Sequence, residues 1–427
     1  MSSESNQPSA SPAKFIGWRM VVVCGLIYAF VGALGLTVGQ LTLSYMVLDP
    51  AVTMNRTYLG LGFTVFILVQ GLSGPLIAQI VMKKGARVAY MIGAVVAGIV
   101  SVCLALFLGS STLFYILFFG VFLSFGCSTA GQIPGQSTLN QWFVAKRGKA
   151  ISFMMMMAAI IAVFYPLITN ALINQFGWRV GFVLIACFAA VGLILAIFFV
   201  KNKPADVGQL PDGGVVAEDE PNKKKTVVKN YQAKEHKTAK QAVRMPAFWF
   251  IVFTAFTCFA HLNLNISQGS LFCVSQGHSL DLVSVALSWK TAVGVVLLLG
   301  LSFLLDRIEP IRIHGIATLI GGIGALLAAF FGSNVVVLFI YYASVAIAYG
   351  TQTAAMPTEL ANMFGNTNYA KILGIVLPIV AVLASLVPTI AGAVYDTTGS
   401  YTPAFIGMGV VGILGFIASC CVRIPKE

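Results

Sequence analysis

Charge is the scarcest property of this sequence: Asp, Glu, Lys and Arg make up 9% of 427 residues, while 58% are hydrophobic. So few charges cannot cover a surface that faces water, and lipid is the solvent this composition fits. Also missing is any Gly-x-x-x-x-Gly-Lys-Ser/Thr sequence, so no phosphate-cradling loop of that kind and no direct ATP drive is expected. The Ser-, Pro- and Asn-rich opening residues carry no basic stretch or cleavage site ahead of the first hydrophobic run, and no cleaved signal peptide is expected. The eight cysteines, Cys24, Cys103, Cys127, Cys187, Cys258, Cys273, Cys420 and Cys421, all fall in apolar runs and lack the spacing of a disulfide framework or a zinc site. They read as small packing residues, and no metal or cofactor is expected. Neither a clustered catalytic set nor a folded domain outside the apolar runs is apparent, so an enzyme is not expected.

What the sequence does contain is a succession of apolar stretches of about 20 residues, the length that crosses a bilayer as a helix. Twelve are predicted, at 18–46, 57–82, 88–108, 111–139, 149–173, 178–200, 247–273, 282–305, 313–331, 334–358, 370–393 and 402–422. The formal net charge is +12, and about 23 of the 26 Lys and Arg residues fall on one side of these spans. Arg56 and Arg179 fall on the other side, and Lys290 falls inside a span. The positive-inside rule then places both termini in the cytoplasm of a multi-pass protein of the cytoplasmic (inner) membrane, and nucleic acid is not needed to explain the charge. The expected organisation is a tail at 1–16, a six-helix bundle at 17–200, a linker at 201–245, a second six-helix bundle at 246–422 and a tail at 423–427. The linker holds an acidic cluster at Glu218–Glu220 and a basic run at Lys223–Lys225. It reads as a solvated tether, with anionic lipid headgroups as an alternative contact.

The two halves echo each other. Asn140-Gln-Trp-Phe143 and Arg147-Gly-Lys-Ala150 lead into the fifth span, as Asn362-Met-Phe-Gly365 and Tyr369-Ala-Lys371 lead into the eleventh. Gly177-Trp-Arg179 precedes the sixth span, and Gly399-Ser-Tyr401 precedes the twelfth. Such repetition points to an internal duplication. With Lys83-Lys-Gly-Ala-Arg87, the segment from Asn140 to Gly148, and the segment from Ala393 to Phe405, the sequence resembles the major facilitator superfamily, and within it the monocarboxylate and oxalate:formate branch. The resemblance covers the chain outside the N-terminal tail and the linker. It implies an all-α membrane protein of twelve transmembrane helices in two pseudo-symmetric six-helix halves, acting as a monomer. It also implies a conformational latch at Lys83, Gly85 and Arg87 in one half and at Asp306 and Arg307 in the other. This copy of the loop has Met82 where the family has Asp, and Ala78 where it has Gly. The family's substrate-binding cation in the eleventh helix would fall near Val376, and Lys371 is not a match for it.

The candidate chemistry starts from another scarcity. All fourteen carboxylates are placed in loops, tails or helix ends, with Asp49, Asp281 and Asp396 outside and Asp306 and Glu359 at cytoplasmic ends. Lys290 in the eighth span therefore lacks a predicted counter-ion, and an ammonium in a span is costly unless it meets water, a counter-ion or an anionic ligand. A substrate carboxylate is the simplest partner, and snorkelling to the outer headgroups is the alternative. His261, taken as the only histidine inside a span, is a second candidate for substrate contact. With Lys290 it is also a candidate for proton coupling, although a lone histidine can be a packing residue. Gln132 and Gln136, followed by Asn140, share a helical face in the fourth span. Tyr28, Gln40 and Tyr45 in the first span, Tyr165 in the fifth, Asn265 in the seventh, and Tyr349 and Gln352 in the tenth complete the polar candidates. The Met154–Met157 run reads as soft packing. One fixed cation favours a single negative charge, so a small organic anion, a monocarboxylate first, is the expected substrate. Proton symport, exchange for a counter-anion and uniport stay open, as does a neutral or larger amphipathic solute on the same fold.

Overall fold

Backbone N–H and C=O groups in a bilayer must bond to each other, so each apolar run closes on itself as a helix. The computed structural model describes residues 15–422 apart from 110, 145, 215–236, 306, 366 and 367. Eleven helices are long and apolar enough to cross a membrane, and a bent pair makes a twelfth crossing. The N-terminal half comprises α1 (Gly17–Leu48), α2 (Arg56–Leu72 with Gly74–Lys84), α3 (Ala86–Phe107), α4 (Thr112–Trp142), α5 (Arg147–Phe176) and α6 (Arg179–Phe199). The C-terminal half comprises α7 (Pro246–Ser275), α8 (Leu280–Leu305), α9 (Pro310–Phe331), α10 (Val335–Phe364), α11 (Lys371–Thr398) and α12 (Thr402–Cys421). The expected spans are all present. The second differs in being bent by 45°, because Pro75 cannot donate to the helical ladder after Ser73 and Gly74.

Helix ends follow local chemistry. Pro246 and Pro310 stand at the first positions of α7 and α9, where a missing N–H costs nothing. The Asn334 side chain accepts from the Val336 N–H and caps α10. Gly177 and Gly399 end α5 and α11 with φ of 81° and 72°, a backbone region that favours glycine. Equivalent turns in the two halves are thus built from the same residue.

Three segments widen into π-helix: Tyr28–Ala33 in α1, Ile116–Leu123 in α4 and Asn265–Gly269 in α7. Those in α1 and α7 lie in the first helix of each half. One buried core runs through both halves. A second packs the ends of α7, α10 and α11 around Phe248, Met356, Leu360, Phe364, Ile372 and Val376. The position at which the resemblance placed a cation is therefore apolar packing.

The described ends of the linker are docked. Gln209 Oε1 accepts from the Ile16 N–H at 3.1 Å, Asp212 Oδ2 accepts from the Val144 N–H at 2.8 Å, and the Lys237 N–H donates to the Phe364 carbonyl at 3.0 Å. Glu218–Glu220 and Lys223–Lys225 lie outside the described residues.

Candidate substrate-binding site

Lys290 lies eleven residues into α8, half-buried, and its Nζ donates to Asn265 Oδ1 at 2.7 Å. The side chain thus turns to α7, and it does not snorkel. Asn265 opens the π segment of α7, and its carbonyl accepts from Gln40 Nε2 of α1 at 2.9 Å. Gln40 Nε2 also lies 3.3 Å from Ser270 Oγ. Three residues named from sequence, Lys290, Asn265 and Gln40, therefore meet across the two halves, and Ser270 joins them. A hydrogen bond from a charged donor contributes roughly 1.5–3 kcal/mol, but Asn265 is neutral and leaves the positive charge uncancelled. Among the described residues no carboxylate pairs with Lys290. The ammonium keeps donors beyond the one given to Asn265, which is what binding of an anion requires.

His261 lies one turn before Asn265 and is buried. Its Nδ1 is 2.8 Å from the Thr257 carbonyl, which can only accept, so Nδ1 carries the proton. Nε2 lies against Gly321 of α9 without a hydrogen-bond partner among the described residues. Tyr349 packs edge-on to Phe259 of α7 and lies within electrostatic reach of Tyr28, which opens the π segment of α1. Gln352, one turn along from Tyr349, is buried. Gln132 and Gln136 stand after a break in α4 at Ala130 and Gly131, with Gln132 exposed and its Nε2 3.5 Å from Met155 Sδ. Tyr165 is buried against Phe188 of α6 inside the N-terminal half, and among the described residues no hydrogen bond joins it to the Lys290 group. Tyr341, beside Asn265, was not among the candidates, because its approach to Asn265 joins two helices 76 residues apart in sequence and nothing local sets it apart from the tyrosines that were named.

The hydrogen bonds between the halves, among the described residues, gather toward one end of the bundle. The Asp396 carboxylate of α11 accepts from the Arg56 and Thr57 N–H groups at the start of α2, at 3.2 and 2.8 Å, and from the Thr57 hydroxyl. Asp281 Oδ1 of α8 accepts from Asn170 and Asn174 of α5 at 2.6 and 2.7 Å, and Tyr45 donates to both asparagines. Gln268 donates to the Arg56 carbonyl while accepting from Tyr401. Thr64 donates to the Ser385 carbonyl. A Cβ on Gly60 would strike the Pro388 carbonyl, and one on Gly392 the Arg56 carbonyl, so α2 and α11 touch backbone to backbone.

One expectation needs correction: His261 is not the sole histidine within a span. His314 lies in α9, which begins at Pro310, and Glu359 lies near the end of α10, which runs on to Phe364; both are buried, with His314 Nδ1 2.9 and 3.2 Å from the two carboxylate oxygens. Of the loop residues, Arg87 binds within its own half: its N–H donates to Asn202 Oδ1 at 2.9 Å and its guanidinium donates to the Ile197 carbonyl. Asn202 also packs against Gly85. Lys83 and Arg307 are exposed, and Asp306 lies outside the described residues.

Comparison with known proteins agrees with this architecture. A POT family transporter in complex with 5-aminolevulinic acid superposes with a TM-score of 0.73 at 14% identity, covering 95% of this chain and 96% of that one. A bacterial homologue of the human lysosomal transporter Spinster, inward-facing and unoccupied, gives 0.64 at 16% identity over 96% of each chain. In sequence, the uncharacterized MFS-type transporter YhjX of Escherichia coli (strain K12) is 23% identical over 256 residues, 58% of this chain and 57% of that protein. Monocarboxylate transporter 12 of Mus musculus is 38% identical over 78 residues, 18% of this chain and 16% of that protein. The match thus spans a little over half of the first relative and about a sixth of the second. The family profile described as Major Facilitator Superfamily matches residues 20–313, and with the twelve-crossing, two-half fold this chain belongs to that superfamily of membrane transporters.

Proposed function

We propose that the protein carries a small organic anion, a monocarboxylate first, across the cytoplasmic membrane by alternating access of its two halves. The observation that carries this reading is Lys290: an ammonium within a span, held by the neutral side-chain amide of Asn265, a residue whose backbone carbonyl is bonded to the opposite half. A bound carboxylate would cancel the charge and lower the cost of an occluded state. The 78-residue likeness to a protein named a monocarboxylate transporter supports the same substrate class. In this reading Gln40, Asn265 and Lys290 form the centre of the site, with His261, Tyr28, Tyr349, Gln352, Gln132 and Gln136 around it. Both termini and the linker face the cytoplasm, and the loops at Lys83–Arg87 and Arg307 act as latches. The bundle is then closed toward the outside by Asp281 and Asp396. Transport is coupled to protons or to a counter-anion.

Uptake of labelled mono- and dicarboxylates into proteoliposomes tests this, with and without an inward proton gradient and with trans-loaded anion. Accumulation of a monocarboxylate that falls at least about 10-fold in Lys290→Ala and is partly kept in Lys290→Arg is expected, in line with loss of a charged contact of about 1.4 kcal/mol or more. Transport of a neutral or amphipathic solute that is indifferent to Lys290→Ala would replace the anion reading.

A further inference from the structure

His314 and Glu359 make no contact with the Lys290 group, yet they form a fully buried ionisable pair within the C-terminal half. Nδ1 of His314 lies between the two oxygens of Glu359, at 2.9 and 3.2 Å, with side-chain exposures of 0% and 1%. We propose that this pair is a proton-binding site of the carrier, which takes up and releases one proton in each transport cycle. The inference rests on the transport reading above and adds to it the residues that hold the coupled proton.

The pair's charge balance is the first argument. With one proton on His314 Nδ1 and another on Nε2, the imidazolium and the carboxylate sum to zero. With a single imidazole proton the pair carries a net negative charge in a low-dielectric interior, which is costly. The pair therefore has two states that differ by one proton and by one unit of buried charge. A change of surroundings that brings water or charge to it changes which state is favoured.

The neighbours leave that balance to the pair. The helices packed on α9 and α10 are α7, α8, α11 and α12. From α7 comes Cys258, whose thiol lies beside His314. Lys290 of α8 is held by Asn265, and Lys371 of α11 is exposed. Cys420 and Cys421 of α12 are exposed, and Ser419 packs on Gly315. On α9 itself, Arg312 is exposed and pairs with Glu309. Among the described residues, then, no second cation or carboxylate reaches the pair.

Position links it to the transport machinery. Glu359 lies seven residues beyond Gln352 on α10 and so shares a helix face with a residue of the candidate site, and His314 lies seven residues before Gly321 on the same face of α9. Gly321 touches His261. Pro357 interrupts the hydrogen-bond ladder of α10 between Gln352 and Glu359, which marks a bending point. Glu359 is five residues from the end of α10, about 7 Å at 1.5 Å per residue, so a modest opening at that end brings water to it.

The test pairs a readout that needs no substrate with one that does. In infrared difference spectra of the substrate-free reconstituted protein, titrated from about pH 5 to about pH 8, wild type is expected to give carboxyl and imidazole bands. Glu359→Gln and His314→Gln should remove them. In proteoliposomes, with the carboxylate that wild type carries, Glu359→Gln is expected to lose at least about 10-fold of gradient-driven accumulation and to retain anion exchange between loaded vesicles. Gln keeps a hydrogen bond to His314 without holding a proton, so a purely structural role would spare accumulation. Spectra identical in wild type and both variants, or gradient-driven accumulation retained in Glu359→Gln, would overturn the proposal. If no carboxylate moves at all, the substrate reading fails and the spectra alone still decide the pair.

Discussion

At the end of the bundle that carries Arg56 and Asp396, hydrogen bonds cross from one half to the other. At the end that carries Lys83 and Lys237, they stay within each half, as in Arg87 to Asn202 and Asn368 to Lys237. The same fold thus fastens its halves together at one end and only staples its own loops at the other. The difference says where the energy of conformational change resides. Opening the fastened end must break the Asp396, Asp281, Gln268 and Thr64 contacts together, each contributing roughly 1 kcal/mol. Closing the other end breaks no described hydrogen bond of comparable kind.

The sharpest way to break this asymmetry is steric. Gly60→Leu would place a side chain where the Pro388 carbonyl sits and is expected to reverse the balance, shifting it more than about 10-fold toward a conformation open at that end. Spin labels at Asn55 and Thr398, both exposed, in a background without the exposed cysteines, would register the separation as a longer distance. An unchanged distance would mean that the contact is not what holds the end shut.

Removing charge should act next. Asp396→Asn weakens the acceptor at the N-terminus of α2, worth about 1–2 kcal/mol where a helix dipole and charge-assisted bonds add, and is expected to shift the same distance distribution about 5–30-fold. Asp281→Ala should have a similar but smaller effect, because Asp281 accepts from two side-chain amides and not from the N–H groups at a helix N-terminus.

The smallest effect is expected at Asp49, whose carboxylate accepts from Ala51 and Trp178 of its own half. Those two bonds, the backbone one first, hold it below the usual carboxylate range. A lowered value means that the group's contribution is present above its unfolded pKa and lost as pH falls through the lower folded one. Melting in detergent should therefore be insensitive to this group from neutral pH down to about pH 4. Asp49→Asn should leave the distance distribution unmoved. A shift equal to that of Asp396→Asn would show that the asymmetry is not a matter of which halves a carboxylate joins.

Much of the crossing pattern was legible, because a 20-residue apolar run has few alternatives to a spanning helix, and the bent crossing falls at Pro75. Lys290 was legible for the same reason in reverse, as the charge that did not fit. What escaped was contact across great sequence distance: Gln40 and Asn265 are 225 residues apart, and no local pattern pairs them. Asn170 and Asn174 do carry a signal, two amides one turn apart at the end of a span, but not the identity of Asp281 as their acceptor. Glu359 fell one residue past a span boundary drawn at 358, short of the helix end at Phe364, and His314, in the first turns of the ninth span, lies 45 residues from it in sequence, so no local pattern pairs the two. The π segments left no trace, since their sequences, Tyr28–Ala33 and Asn265–Gly269, read as ordinary helix.

Those two segments have a mechanical consequence. A π turn holds roughly one residue more than an α turn, so its relaxation to α geometry would advance the rest of the helix by about 1.5 Å and swivel it by about 100°. Because Tyr28 and Asn265 stand at the thresholds of such turns in the opening helix of each half, one part of α1 and of α7 could twist like a screw against the other, turning one set of side chains away from the midline and another toward it.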